Sequence, residues 1–392
     1  MSTPNETLNE QAPQSLAAST IDCSGETYVR PTAWRARLCL FASILIIALG
    51  VFLYLQGLFF IGITLVTVCL AALAILAIVA RTSTARFFGH QETHYSKSPL
   101  GRYLAADAED IKRETPTLTD EEAAAIDLHR ATEAVLVNEW VVNARTPRRI
   151  QVRSDDGTSL VGRMIPGTKR ERPWVLMLHG FGGTWRDSLA FSRIYAAHDC
   201  NIMLVDMRAH GESEGKHLTF GVNERFDCLS WANYAAERFG RDVKIYLYGI
   251  SMGAATVLMA SALPLPDSVS GIVADCGYTS PKDIIFSVLR DHHVPAAPVY
   301  AVARIGAKLF CGFDLDSASA PEALSHSRIP VLFIHGDDDR FVPCRMSREN
   351  FEASAAERKK LLIVPNAGHG LSYMLDRPAY LSALHEFLEA DF

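Results

Sequence analysis

The sequence predicts an α/β protein whose central sheet is mostly parallel and flanked by helices, and two observations predict it. From about residue 146 onward, short apolar runs alternate with helical stretches, as expected for parallel strands buried on both faces. A G-x-S-x-G sequence at Gly249–Gly253 also stands between one of these runs and a helical run, Ala254–Ala262. The predicted strands are Arg149–Arg153, Ser159–Ile165, Trp174–Leu178, Asn201–Val205, Val243–Tyr248, Gly271–Ala274, Pro330–Ile334 and Lys360–Val364. The first two form a hairpin around Asp155-Asp156-Gly157.

Charge and cysteine content exclude several functional classes. The 38 basic and 44 acidic residues give a formal net charge of −6, without the basic face that nucleic-acid binding needs. The eight cysteines contain no C-x-x-C pair, which argues against a zinc knuckle or a thioredoxin-like motif. We therefore expect no nucleic-acid partner, no metal and no organic cofactor, and cysteines that are free thiols.

The N-terminal region is predicted to attach the chain to a membrane. Residues 1–33 are polar, lack apolar periodicity and are expected to form a disordered tail. The stretch from Leu38 to Ala80 contains no charged residue, histidine or proline. As one helix it would be roughly 65 Å long, about twice the thickness of a bilayer core. We therefore predict a transmembrane helical hairpin over 34–82, with helices at about 38–55 and 58–80 and a turn at Gln56-Gly57.

Arginines on both sides of the apolar stretch favour a cytoplasmic location for both ends of this hairpin. The prediction is thus a multi-pass protein of the cell membrane with a cytoplasmic catalytic domain. A single span with an external domain and a buried pair of soluble helices are the alternatives. The flanking arginines are Arg30, Arg35, Arg37, Arg81 and Arg86.

Residues 83–145 are predicted to be a helical connector between the membrane segment and the main domain. Thr119 and Glu122 match a capping box, in which each side chain accepts a hydrogen bond from the other residue's amide. Apolar residues then recur at helical spacing at Ala124, Leu128, Ala131 and Val135.

Ser251 is the candidate nucleophile because it occupies the centre of Gly249–Gly253, directly after a predicted strand and before a helix. A sharp strand-to-helix turn at this position exposes the serine oxygen, and the following helix supplies amide donors. The glycine-rich segment His179–Gly183 follows another strand. Its Phe181 amide, together with the Met252 amide, is predicted to form an oxyanion hole. His179 is expected to be structural.

A serine nucleophile needs a histidine base and an acid that orients this base. His369 follows the last predicted strand, and three adjacent aspartates, Asp337, Asp338 and Asp339, follow the strand before it. Asp337 is expected to cap the turn. Asp275, after an earlier strand, is an alternative acid. The aspartate cluster could also bind a metal, although no convincing further ligands accompany it.

The segment at about 280–328 is predicted to be a helical cap over the site. It contains Pro295, Pro298 and a helical run near Val299–Phe310. We expect the His292-His293 pair within it to be a surface feature rather than a catalytic base.

In order along the chain, these motifs resemble those of bacterial α/β-hydrolase serine hydrolases, the esterase-like group that includes serine aminopeptidase and dienelactone-hydrolase relatives. The resemblance covers roughly residues 146–392. It implies the α/β-hydrolase fold, with Ser251 as nucleophile and His369 as base. Among the three aspartates it selects Asp339, the fifth residue of His335-Gly-x-x-Asp, with Asp338 as the runner-up. It also implies that Phe181 and Met252 donate the oxyanion amides.

These expectations define a membrane-anchored hydrolase that cleaves ester-like substrates through an acyl-enzyme. The expected partners are the lipid bilayer and a small-molecule or acyl, lipid-like ester. A serine peptidase or thioesterase with the same triad is the nearest alternative. A membrane-anchored scaffold without catalysis is another, and a third is that the membrane hairpin itself is the functional part. The sequence leaves the oligomeric state undetermined.

Overall fold

A computed structural model describes residues 44–52, 55–57, 59–89, 117–143, 147–169 and 171–389. The predicted tail over 1–33 lies outside the described residues, as do residues 34–43 of the predicted hairpin and 90–116 of the connector. The chain divides into two compact units, with the division between Thr67 and Val68.

Helices make up most of the described N-terminal residues. Residues 44–52 are helical, 56 and 57 form a turn, and α1 spans Phe59–Phe88. Over the described parts of the chain, no helix is both long enough and apolar enough to cross a membrane. The transmembrane hairpin is therefore not confirmed.

Helix α2, Asp120–Asn143, begins with the predicted capping box, and the structure confirms it. The Thr119 amide donates to Glu122 Oε2 over 2.7 Å, and the Glu122 amide donates to Thr119 Oγ1 over 3.2 Å. The side chains of Leu118, Ala123 and Ile126 are buried within the second of the two core clusters described below. The start of this helix is thereby joined to the main domain.

The main domain is built on one eight-stranded sheet. Its strands are β1 Arg148–Arg153, β2 Ser159–Ile165, β3 Trp174–Leu178, β4 Asn201–Val205, β5 Ile245–Ile250, β6 Val269–Asp275, β7 Val331–Gly336 and β8 Lys359–Val364. Their order across the sheet is β1-β2-β4-β3-β5-β6-β7-β8. Strands β1 and β2 form the predicted hairpin, and β2 also pairs with β4 in antiparallel fashion. All remaining pairs are parallel, which confirms the predicted mostly parallel sheet.

Two hydrophobic clusters cover the two faces of the sheet. Successive strand side chains point to opposite faces, so Val175 and Met177 join one cluster while Leu176 and Leu178 join the other. This double burial explains why β3 is an unbroken apolar run rather than an alternating one.

Helices follow most of the strands and cover both faces. After α1 and α2, they are α3 Leu189–Ala197, α4 Glu224–Phe239, α5 Met252–Ala260, α6 Pro281–Asp291, α7 Ala296–Gly306, α8 Ala320–His326, α9 Arg345–Ala353, α10 Ser372–Leu375 and α11 Arg377–Glu389. Helices α6 and α7, together with a short π-helix at Ala307–Cys311, lie in the predicted cap segment between β6 and β7. A third helix of this segment, α8, packs against α5.

Candidate active site

Ser251 lies at a strained turn between β5 and α5. Its backbone has φ 55° and ψ −116°, a conformation that non-glycine residues rarely adopt and that costs on the order of 1–3 kcal/mol. Its amide donates to the Asp275 carbonyl over 2.8 Å, which ties the turn to the end of β6. The residue is 7% exposed and borders a cavity.

The two outer glycines of the Gly249–Gly253 motif make this turn possible. A Cβ atom at Gly253 would clash with the carbonyl oxygen of Leu178, and one at Gly249 would clash with the backbone of Gly253. The strand, the turn and the helix therefore come closer together than any larger residue would allow.

His369 lies between Ser251 and Asp339. Its Nε2 is 2.9 Å from Ser251 Oγ, and its Nδ1 is 2.7 Å from Asp339 Oδ2. A carboxylate only accepts hydrogen bonds, so Nδ1 carries a proton and Nε2 of a neutral ring is free to accept the serine proton. The structure therefore brings the three predicted residues together in the order that nucleophilic catalysis requires.

Four donors surround the Asp339 carboxylate, two at each of its oxygens. Oδ1 accepts from the amides of Phe341 and Val342 over 3.0 and 2.8 Å. Oδ2 accepts from His369 and lies 3.1 Å from His335 Nε2. Sequence reasoning gave His335 no role, although it precedes the aspartate by four residues. Its imidazole also contacts Ser347 Oγ over 2.6 Å and anchors the carboxylate from behind.

The other two aspartates of the cluster have different partners. Asp338 accepts a hydrogen bond from Thr117 Oγ1 over 2.7 Å, which joins the loop to the start of α2. Asp337 Oδ1 accepts from the Asn366 amide over 2.6 Å and so supports the loop that carries His369. Three adjacent carboxylates thus serve three separate contacts.

Asp275, the alternative acid, lies in a buried group of tyrosines. Its Oδ2 accepts a hydrogen bond from the Tyr380 hydroxyl over 3.0 Å, and its Oδ1 has no hydrogen-bond partner among the described residues. Burial raises the pKa of the Asp275 carboxyl to about 6. The residue that contacts His369 Nδ1 is Asp339, not Asp275.

Charge coupling dominates the pair of His369 and Asp339. Burial alone would lower the pKa of His369, but the adjacent Asp339 carboxylate outweighs it and raises that pKa well above its usual range. Burial likewise opposes ionisation of Asp339, yet His369 and His335 hold its pKa well below normal. The carboxylate therefore stays ionised and stabilises the imidazolium.

Cys276 is a buried neighbour of this pair that the sequence did not single out as functional. Its sulfur, one oxygen of Asp339 and one nitrogen of His369 lie within 4.8 Å of one another, and these residue types can bind metals. Burial raises the pKa of the thiol to about 11, so it is neutral. Asp339 and His369 already share a hydrogen bond, which a metal at this position would have to replace.

The glycine-rich loop after β3 is held by two buried histidines. His179 Nε2 accepts from the Met207 amide over 3.0 Å, and its Nδ1 donates to the Gly180 carbonyl over 2.7 Å. His210 Nε2 accepts from the Gly182 amide over 3.2 Å. Burial, with a contribution from His210, lowers the pKa of His179 to about 3, so its ring is neutral and structural.

This loop lies directly beside the nucleophile. A Cβ atom at Gly180 would be 3.4 Å from Ser251 Cβ. The next residue, Phe181, lines the same cavity as Met252, and no described residue accepts a hydrogen bond from either amide. Two unpaired amide donors beside a serine are what an oxyanion hole requires.

The cavity beside Ser251 has a volume of about 220 Å³ and an almost entirely apolar lining. Its walls come from the glycine-rich loop after β3, the cap helices α6 and α7, and the end of α1. The lining residues are Phe88, Phe181, Phe220, Ser251, Met252, Tyr278, Ile284, Ile285, Val288, Leu289, Val299, Ala303 and Phe341. His292 and His293, at the exposed end of α6, are not among them.

The most distant of these residues in sequence is Phe88. It lies in the region that the sequence assigned to a connector without catalytic features, and nothing in its local pattern marks it as part of the site. The only sequence signal is an aromatic residue at the end of a long apolar helix, which is common elsewhere.

A comparison with protein families matches residues 175–384, a little over half of the chain, to the Alpha/beta hydrolase family. Together with the strand order and the strained serine turn, this match shows that the chain belongs to the alpha/beta hydrolase family.

Known proteins of this kind include enzymes and uncharacterised proteins. The chain is 26% identical over 216 residues to YqkD, an uncharacterised protein of Bacillus subtilis, across 55% of this chain and 70% of that protein. It is 23% identical over 239 residues to a lysophosphatidylserine lipase of Danio rerio, across 56% of this chain and 58% of that protein. An esterase of Pyrococcus furiosus has the same fold, with a TM-score of 0.52 and 20% identity across 62% of this chain and 91% of that one.

Proposed function

We propose that this hydrolase is a serine esterase that cleaves an ester with a single apolar acyl chain. The observation that carries the proposal is the hydrogen-bonded series Ser251–His369–Asp339 at the edge of an apolar cavity. The reaction splits an ester into an alcohol and a carboxylic acid in two steps.

In the first step, Ser251 Oγ attacks the ester carbonyl while His369 Nε2 takes the serine proton. The Phe181 and Met252 amides donate to the carbonyl oxygen as it becomes negative. His369 then gives its proton to the departing alkoxide, which leaves as the alcohol. In the second step, His369 deprotonates a water molecule that attacks the acyl-serine, and the acid is released as Ser251 regains its proton.

The cavity lining favours an acyl group over a peptide. Apart from Ser251 and Tyr278, the residues that line it have apolar side chains, and none is charged. Methylene groups pack favourably against such a lining, whereas buried polar groups would find no hydrogen-bond partners there. A thioester with the same acyl chain fits the cavity equally, whereas a peptide with polar side chains fits it poorly.

Membrane attachment through residues 34–82 remains our proposal from the sequence. It is supported by the uncharged stretch Leu38–Ala80 and by large apolar side chains that are exposed on the described helices, including Ile63, Val68, Ile75 and Ile78. The cytoplasmic location follows from the flanking arginines alone. Extraction of washed membranes at alkaline pH tests the anchor, because an integral protein stays in the pellet. Release of the full chain into the supernatant would contradict it.

The enzymatic proposal is tested by hydrolysis of p-nitrophenyl esters of graded acyl length with the full chain in detergent. We expect Ser251→Ala and His369→Ala each to lower kcat by about 10⁴–10⁶-fold, since triad members act as a unit. A fluorophosphonate probe should label the wild type but not Ser251→Ala, because only an activated serine reacts.

His292→Ala is the matched control for loss of a histidine, and we expect it to keep wild-type activity. If the folded wild-type chain neither cleaved the esters nor reacted with the probe, the esterase proposal would be wrong and a scaffold without catalysis would take its place.

A further inference from the structure

We infer that Phe88, the last residue of α1, limits the length of the acyl chain that the cavity accepts. This inference rests on the proposed function and extends it. A helix that precedes the hydrolase domain in sequence thereby completes the substrate site.

Phe88 is fixed within the core of the domain. Its side chain is fully buried and lines the cavity together with Ser251. Its carbonyl accepts a hydrogen bond from the Leu218 amide over 2.9 Å, and Gly89 forms an antiparallel bridge with His217. The end of α1 is therefore held by backbone pairing as well as by its side chain.

Aromatic contacts connect Phe88 to the glycine-rich loop after β3. The Phe88 ring meets Phe220 edge-on at 6.0 Å, and Phe220 stacks on Phe181 at 5.7 Å. On another side, Phe88 meets Phe313 edge-on at 5.3 Å. Phe88 is thus two ring contacts away from Phe181 on the loop beside Ser251, and the proposal places the distal carbons of an acyl chain against it.

Phe220, whose ring lies between those of Phe88 and Phe181, has a strained backbone that neighbouring hydrogen bonds hold in place. Phe220 has a φ of 54°, which is unusual for a bulky residue. The buried Glu224 carboxylate accepts from the amides of Thr219 and Gly221 on either side, over 2.6 and 2.8 Å. Because these two hydrogen bonds fix the loop on both sides of Phe220, Phe220 does not move aside for a longer chain, and Phe88 remains the limit.

The size of the cavity sets the expected chain length. A closed apolar cavity of about 150 Å³ accommodates benzene. By proportion, 220 Å³ accommodates roughly nine carbon atoms. Each buried methylene should raise kcat/KM by about fourfold until the chain meets Phe88.

The test is the ratio of kcat/KM for dodecanoyl and octanoyl p-nitrophenyl esters, measured with the full chain. Both kcat/KM values are measured with the same enzyme preparation, so the fraction of active enzyme cancels from their ratio. We expect Phe88→Ala to raise this ratio at least tenfold, because the removed ring leaves room for several methylenes. Phe88→Trp should lower the ratio and favour chains shorter than eight carbons.

Phe387→Ala is the matched control, since Phe387 is also buried but packs on Tyr246 in the cluster on the other face of the sheet. It should lower stability and leave the ratio unchanged. Phe88→Leu is a milder variant that we expect to raise the ratio less than Phe88→Ala, and it serves if the alanine variant does not fold.

Labelling of Ser251 by the fluorophosphonate probe separates the two possible failures. If the Phe88 variants are labelled and cleave esters with a ratio within twofold of the wild type, Phe88 does not limit chain length and the inference is overturned while the esterase proposal stands. If the wild type is neither labelled nor active, the esterase proposal fails first.

Discussion

The polar and apolar halves of this site are built in different ways. Ser251, Asp339 and His369 each lie on a loop that directly follows a strand of the parallel sheet, so the sheet itself brings them together. The cavity walls come from the cap helices α6 and α7 and from the end of α1 at Phe88, which lies more than 160 residues before the nucleophile.

This difference teaches that the two halves of the site should tolerate substitution to different degrees. In the polar half, hydrogen bonds of 2.7–3.0 Å fix Ser251, Asp339 and His369, so we expect most substitutions of these residues to disrupt their geometry. The apolar half is held by side-chain packing, which can be altered residue by residue while the triad geometry remains. The predictions below probe each half and one region outside both.

The largest effect should come from the acid of the polar half. Asp339→Asn removes the charge that stabilises the imidazolium and allows the wrong histidine tautomer, so we expect kcat to fall by about 10⁴-fold. Asp275→Asn is the matched variant, and we expect it to lower kcat by less than tenfold because Asp275 is bonded to Tyr380. Steady-state ester hydrolysis measures both.

A result in which Asp275→Asn lost as much activity as Asp339→Asn would favour Asp275 as the functional acid. Thermal denaturation of both variants distinguishes a loss of activity from a loss of folding.

The next effect is a pH dependence of the polar half. The base must be neutral, and Asp339 raises the pKa of His369 well above 6.5, so kcat/KM should rise with pH through a value above 6.5. The folded state binds the His369 proton more tightly than the unfolded state does. The contribution of the His369–Asp339 pair to the free energy of unfolding is therefore fully present below pH 6.5. It is lost as pH rises through the folded pKa. Activity and this share of stability therefore change in opposite directions.

The pH profile of kcat/KM measures the first change. Thermal denaturation of Ser251→Ala, compared with Ser251→Ala/His369→Gln across the same pH range, measures the second. An acid limb at or below pH 6.5 would contradict the coupling between His369 and Asp339.

The smallest effect should come from the connector, outside both halves. Thr119→Ala removes the capping hydrogen bond at the start of α2 and should lower Tm by about 2–4 °C without changing kcat. Thr132→Ala is the matched control within the same helix. Its hydroxyl donates only to the Leu128 carbonyl, and we expect no decrease in Tm. Calorimetry measures both variants, and equal Tm values for Thr119→Ala and the wild type would show that the cap contributes nothing.

Local pattern predicted the sheet closely. The ranges predicted for β2, β3 and β4 agree with the structure, and β5 is displaced by two residues because the strand continues into the Gly249–Gly253 motif. The capping box at Thr119 was found in the same way. These features depend on periodicity and on contacts within a few residues, which sequence reading captures.

The choice among three adjacent aspartates was not available from the residues alone. Each of them can form hydrogen bonds, and only the resemblance to a family selected Asp339. The structure separates them by their partners, which are Asn366, Thr117 and His369. Neighbouring residues in a loop point their side chains in different directions, and spacing by itself does not record those directions.

By itself, the sequence determined the class of fold, the strand-to-helix turn at Ser251 and the two later loops that carry the aspartates and His369, because each depends on short-range pattern and on the rules of parallel sheets. Only the tertiary structure decided that His335 supports Asp339 and that Phe88 lines the cavity. Those contacts join residues from distant parts of the chain, and their formation depends on the packing of whole elements rather than on any local preference.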